Sequence, residues 1–302
     1  FTYSPQTIEK TDVVVVQPNL DPYGEQYDYS PRQVCDIIID LASKKTDENT
    51  DFILCPESCL QDYVWEENLD SSPSIVYLRN FENKYPKAEI ISGMSSRRML
   101  PEGVMTKAAR KHRHIPDRYY ESCNIAVKID RDTVNPCSLL RHKSVLTPFV
   151  EKMPFKSVLG FLGDLALDLG GTVGTLGTDE DYIVFSSNGK PKTATAICYE
   201  STDGRYISQL VAKGAELIFI ITNDGWWKDT PGHRQHAAFA SLRAIENRRP
   251  IARSANTGIS CFVSPRGESS QQTEYWKEAV IKQTLYPQNE ITFYTKYGDY
   301  IY

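Results

Sequence analysis

Cys198 closes an apolar stretch, Thr193-Ala-Thr-Ala-Ile197, and after Tyr199-Glu200 a helical pattern begins. A thiol on a strand-to-helix turn is pushed out of the sheet, and nearby helix-opening amides favour its thiolate. The same amides can hold a developing oxyanion. A free cysteine is also at home in a plain core. A second candidate stands where Ile53-Leu54-Cys55-Pro56 delivers Glu57. A carboxylate at a sheet edge suits a cleft better than a core, and there it could act as general base. Its plain alternative is a solvated strand-end acid. The third group is Leu140-Arg-His-Lys143, then Leu146-Thr-Pro-Phe-Val-Glu151. Lys143 could stabilise an oxyanion and hold the geometry, with Glu151 positioning an amine; a charged loop would use the same residues for nothing. His233-x-x-His236 has no carboxylate or cysteine at ligand spacing, so no metal site is expected.

The elements that must position these groups follow from hydrophobic pattern. Strands are predicted at Val13–Val16, Phe52–Cys55, Glu89–Ser92, Asn124–Ile129, Tyr182–Phe185, Thr193–Cys198, Leu217–Ile221, Ile251–Ser254 and Ile259–Val263. Pro31 opens a helix with Val34, Ile37, Ile38 and Leu41 on one face. Further helices are predicted over Ser72–Tyr85, Asp203–Lys213 and His233–Arg248, the last with Phe239, Leu242 and Ile245 on one side. Turns are expected at Asn256-Thr257-Gly258 and Pro265-Arg266-Gly267. Arg97–Tyr120 reads as a basic solvated loop. Lys156–Gly177 has leucines at helical spacing and then glycines, in no dinucleotide-binding context. Strands alternating with helices and no Pro/Gly/Ser-rich linker imply a layered α/β sandwich of one domain.

Composition narrows the classes. The chain has 302 residues, 40% hydrophobic and 24% charged, which fits a globular core and excludes disordered or collagenous classes. A net charge of -5 gives no electrostatic case for nucleic acid. The longest apolar run, Leu217–Ile221, is far below the roughly 20 residues of a membrane span. Seven cysteines are an odd count, so at least one thiol is free or pairs between chains.

The order Pro56-Glu57, Lys143 with Glu151, and Cys198-Tyr199-Glu200 resembles the nitrilase superfamily, whose members use Glu, Lys and Cys. More narrowly, several stretches are similar to the nitrilase-like domain of apolipoprotein N-acyltransferases. They are Val15-Val16-Gln17-Pro18-Asn19-Leu20-Asp21-Pro22, His142-Lys143 through Pro148-Phe149-Val150-Glu151, Ile197-Cys198-Tyr199-Glu200 and Thr222-Asn223-Asp224-Gly225-Trp226-Trp227. Gln235-His236, Leu242-Arg-Ala-Ile-Glu246, Arg249-Pro250 and Asn256-Thr257-Gly258-Ile259 continue the likeness toward the C-terminus.

The resemblance implies an αββα sandwich with Glu57 as base, Cys198 as nucleophile and Lys143 as the cation at the oxyanion. Glu151 would be a second essential carboxylate, and Tyr199 and Glu200 would support the nucleophile, the Tyr199 amide completing the oxyanion hole. Trp226 would wall the acyl pocket. Val150 stands where the family usually has glycine. The implied reaction takes an acyl chain from a phospholipid, through a Cys198 thioester, to the amine of a diacylglyceryl-cysteine apolipoprotein, with no metal or organic cofactor. Phe155–Leu169 would face lipid. A soluble nitrilase-type amidase with the same triad, or a lipid-binding domain without turnover, would fit much of the same sequence. Opening on Phe1 rather than Met, the chain is expected to be a domain of a longer inner-membrane protein, on its periplasmic side and without its spanning helices.

Overall fold

In chain order the elements run β1 (Thr11–Gln17), α1 (Glu25–Asp28), α2 (Pro31–Ser43), β2 (Thr50–Leu54), β3 (Leu60–Trp65), α3 (Pro73–Glu82) and β4 (Glu89–Met99). Then come β5 (Arg110–Lys111), β6 (Tyr119–Ile129), β7 (Leu140–His142), β8 (Thr193–Ile197), α4 (Gly204–Ala212) and β9 (Leu217–Thr222). The chain closes with α5 (Gly232–Asn247), β10 (Ile251–Ala255), β11 (Cys261–Val263), β12 (Ser269–Ser270), β13 (Ala279–Leu285) and α6 (Phe293–Tyr297). This computed structural model describes residues 10–130, 140–148, 151, 175–179 and 181–299. Val150 and the lipid-facing candidate Phe155–Leu169 lie outside the described residues.

Two sheets form the middle layers. The first runs β13-β1-β2-β4-β6-β5, with β3 beside β4 and β7 beside β6; the second runs β12-β11-β10-β9-β8. Strands β1, β2 and β4 are parallel, as are β8, β9 and β10. Alternation along the buried strands assigns each face. Val14, Val16, Ile53 and Ile90 pack toward α2 and α3, while Val13, Val15, Phe52 and Leu54 meet Leu217, Phe219 and Ile221 of the other sheet. Ile218 and Ile220 face Ile207, Leu210 and Val211 of α4. The layer order is therefore helix, sheet, sheet, helix, as expected.

Local signals set the helix starts. Ser30 and Gln33 form a capping box ahead of Pro31, and Ser72 and Asp203 cap α3 and α4. Three expectations change. Tyr182–Phe185 is not a strand: Phe185 alone exchanges hydrogen bonds with Thr193, and the segment finds no longer partner edge. The basic Arg97–Tyr120 segment is partly ladder, because β4 and β6 run on to Met99 and Tyr119 and β5 pairs with Tyr119 and Tyr120. On α5 the apolar residues Leu242 and Ile245 are exposed, while His233, His236, Arg243 and Asn247 face inward.

The parallel strands bring their carboxyl ends to one edge, where sites in such sheets form. Beyond β2 lies Glu57, beyond β8 Cys198, and beyond β9 Asn223, Asp224 and Trp226. The Glu57 turn presses so closely on β4 that a Cβ at Gly93 would sit 2.5 Å from the Glu57 Cα. Glycine is required there by contact, not by dihedral.

Candidate active site

Cys198 leaves β8 with φ 50, a left-handed value that costs a non-glycine residue of order 1 kcal/mol or more. Neighbouring bonds hold that turn. The Glu200 carboxylate accepts the Ile197 amide at 2.7 Å and the Ser144 amide at 2.6 Å. Arg141 grips the same carboxylate with both guanidinium nitrogens, at 2.8 and 2.7 Å, and both residues are fully buried. Glu200 thereby ties the nucleophile-candidate turn to the loop that follows Lys143. Arg141 lies within Leu140-Arg-His-Lys143, and its part shows only in its pairing with Glu200, 59 positions away.

Across the cavity Lys143 is buried between two carboxylates. Its Nζ lies 2.9 Å from Glu57 Oε1, 2.9 Å from Glu151 Oε1 and 2.8 Å from Glu151 Oε2. Glu57 also accepts Asn124 Nδ2 at 2.9 Å and the Asn223 amide at 3.1 Å. The Thr147 amide donates to Glu151 at 2.9 Å. Asn124 bridges toward both acids and was not singled out from sequence; its signal, a polar residue within an apolar strand, was present but unspecific.

These charges act on each other. Burial works against the Lys143 ammonium, yet Glu151, Glu57 and Cys198 raise its pKa well above the usual lysine range. Burial also opposes the Glu151 carboxylate, but Lys143 holds its pKa below the ordinary value. The Cys198 thiol is pushed up, first by burial and then by the Glu57 carboxylate, with Lys143 pulling the other way. Before a ligand enters, therefore, Cys198 is a thiol. It becomes a nucleophile when its proton has somewhere to go.

Behind the elbow stands a second buried group. His236 Nε2 lies 3.1 Å from the Cys198 carbonyl and 3.0 Å from the Ser201 hydroxyl, and Nδ1 lies 2.8 Å from Asp224 Oδ1. Arg253 donates to Asp224 Oδ2 at 2.8 Å. The Asp224 carboxyl is held well below its usual range against burial, chiefly by Arg253 and His236. His233 instead stacks on Tyr275 with centroids 3.9 Å apart. The two histidines thus have separate tasks.

Glu57, Lys143, Glu151, Cys198 and Trp226 line one cavity of about 460 Å³, within the usual range for small-ligand sites. Trp226 is half-buried and meets Tyr23 edge-on, with centroids 5.3 Å apart. Exposed Tyr63 and Trp227 also line the cavity, and Tyr199 does not. Cys123 of the cavity wall, with Glu66 and His142, holds potential ligand atoms within 4.8 Å of one another. Their groups are already occupied: His142 bridges Glu66 at 2.9 Å and Asp179, and Ser96 donates to Glu66 at 2.7 Å. Burial opposes the His142 charge, but Asp179, Cys123 and Glu66 push its pKa up to about 11, making it an imidazolium between acids.

The profile of the carbon-nitrogen hydrolase family matches residues 13–290. An apolipoprotein N-acyltransferase of Chlorobaculum tepidum is 27% identical over 299 residues, covering 98% of this chain and 55% of its own length. Another, of Bdellovibrio bacteriovorus, is 27% identical over 303 residues, with 96% and 51% covered. The chain thus spans about half the length of these curated relatives. Among solved structures, the nitrilase-superfamily protein Nit3 of Saccharomyces cerevisiae superposes with a TM-score of 0.63 at 16% identity, over 94% of this chain and 93% of that one. An amidase from Nesterenkonia sp. gives 0.60 at 15%, over 92% and 91%. Those two likenesses are of fold. Among the described residues no helix is long and apolar enough to cross a membrane.

Proposed function

The chain belongs to the carbon-nitrogen hydrolase family, and we propose that it is an acyltransferase of the apolipoprotein N-acyltransferase type. It would move an acyl chain from a phospholipid, through a Cys198 thioester, to the N-terminal amine of a diacylglyceryl-cysteine apolipoprotein. The observation that carries this reading is one cavity in which Cys198 on its strained elbow faces an ammonium held by two carboxylates. The relatives' names supply the acyl-transfer sense of that chemistry. On this reading the domain works at the periplasmic face of the inner membrane, held there by spanning segments of a longer protein.

In the first half-reaction Glu57 takes the Cys198 proton while sulfur attacks the ester carbonyl. The oxyanion forms beside the Lys143 ammonium, which lines the same cavity as Cys198. The C–O bond then breaks, Glu57 returns its proton to the lysophospholipid oxygen, and the acyl group stays on sulfur. In the second half Glu57 takes a proton from the attacking amine, the C–S bond breaks, and the thiolate recovers a proton as the amide leaves. Glu151 keeps Lys143 charged and in place throughout. With two carboxylates on one ammonium, net charge opposes a free thiolate, so proton transfer to Glu57 accompanies attack.

Mass spectrometry of the protein after incubation with phospholipid tests this. An acyl adduct on Cys198, absent from Cys198→Ala and slowed about 100-fold or more by Glu57→Gln, is expected. Ammonia released from small amides with no lipid adduct would instead establish a hydrolytic amidase.

A further inference from the structure

The segment between β4 and β6 is rich in cations: from 97 to 118 it holds seven arginines and lysines against two acids. Several arginines there are already engaged. Arg98 pairs with Glu121 and Asp179, Arg118 donates to the Leu100 carbonyl at 3.3 Å, and Arg97 lies 6.0 Å over the Trp65 ring. Arg110 differs. It sits on β5, held by pairing with Tyr120, and lines the cavity that contains Cys198. Among the described residues its buried Nη2 has no hydrogen-bond partner. A desolvated guanidinium nitrogen without a partner is costly. Its planar fork matches a phosphate or carboxylate, and a bidentate anion would satisfy it.

We propose that Arg110 is the anion subsite of this cavity and holds the headgroup phosphate of the acyl donor while the donor's ester reaches Cys198. This rests on the acyltransferase reading and adds to it the part of the donor that sets recognition. The Ser122 and Tyr63 hydroxyls line the cavity with Arg110 and offer the phosphate further donors. Nearby Glu121 does not compete, because Arg98 and Thr106 already hold it. Selectivity would then come from charge at Arg110, and reactivity from Cys198.

Two measurements test it. Initial rates would be compared on a phospholipid and on a neutral ester with the same acyl chain and no phosphate. Arg110→Ala is expected to raise the KM for the phospholipid about tenfold or more with kcat little changed. Its rate on the neutral ester should stay within about twofold, and Arg110→Lys should recover part of the loss. The second measurement is calorimetric binding of a short-chain phospholipid to Cys198→Ala, with and without Arg110→Ala. It reads the subsite whether or not turnover occurs, so failure of the acyltransferase reading shows as binding without acylation. Equal effects of Arg110→Ala on both donors, or unchanged phospholipid binding, would overturn the proposal. So would millimolar inorganic phosphate binding at Arg110 with no preference for the lipid, which would make this a free-phosphate site.

Discussion

Two cysteines line one cavity, and their surroundings differ in what a thiol can do there. Cys123 sits inside β6, opposite Ser96 in a regular antiparallel ladder. Its neighbour is a histidine whose charge is taken up by Glu66 and Asp179. Cys198 stands where β8 stops, at positive φ, and the amides after it have no ladder to join. Its neighbours are the Lys143 ammonium and the Glu57 carboxylate. Burial raises both thiols, so burial does not separate them. The elbow does, because it ends the ladder at Cys198 and sets the sulfur against the Glu57 carboxylate and the Lys143 ammonium.

The largest effect expected from that contrast is on turnover. Cys198→Ala should remove the acyl adduct and lower acyl transfer by about 10⁴-fold or more. Cys123→Ala should change it by less than about threefold, since no step uses that sulfur. An adduct migrating to Cys123 in the Cys198→Ala protein would break the comparison. Next in size is the support behind the elbow. Glu200→Gln leaves the buried Arg141 without its ionic partner and should cost about 3–5 kcal/mol of stability, read by urea unfolding. A loss of rate with unchanged stability would instead place Glu200 in the chemistry.

A third effect, read as a slope with pH and not as a single loss, separates the histidine side from the lysine side. His142 has its folded pKa raised to about 11, so the stability it contributes is complete below about pH 6.5 and drains as pH rises toward 11. The slope is about 1.4 kcal/mol per pH unit for one proton, falling with pH. Glu66 and Asp179 have lowered folded values, so their share is present above about pH 4 and fails on acidification. His142→Gln should flatten the alkaline limb of a stability-pH profile measured by urea midpoint. A limb of unchanged slope would mean the imidazolium bridge contributes nothing.

How far these features could be read from sequence depended on whether the signal was local. Pro56-Glu57 and Ile197-Cys198 lie where apolar runs stop, and the strand ends were legible within a residue or two. The start of α2 at Pro31 was readable for the same reason. Pairings across the fold were not: Arg141 to Glu200 spans 59 positions, and Glu57 to Asn223 spans 166. On α5 periodicity pointed to Phe239, Leu242 and Ile245, yet the helix buries His236 and Arg243 because their partners lie on other elements. A buried polar network follows complementarity, and hydrophobic spacing carries no trace of it. Tyr182–Phe185 has strand composition but only one bridging pair, since strand identity depends on a neighbour.

The smallest effect sharpens which end of the cavity receives the acyl chain. Trp226 leaves the carboxyl end of β9 beside Cys198, and its ring is braced edge-on by Tyr23. Losing one such aromatic wall forfeits contact worth about 1 kcal/mol, roughly a factor of five in binding. Trp226→Ala should therefore raise the KM for acyl donors about fivefold and leave kcat near its starting value, because the ring touches neither proton nor oxyanion. Dependence on chain length gives the finer reading. If Trp226 walls the acyl side, the penalty grows with donor chain length and vanishes for an acetyl ester. A penalty independent of chain length would move Trp226 to the acceptor side, and the cavity's two ends would have to be exchanged.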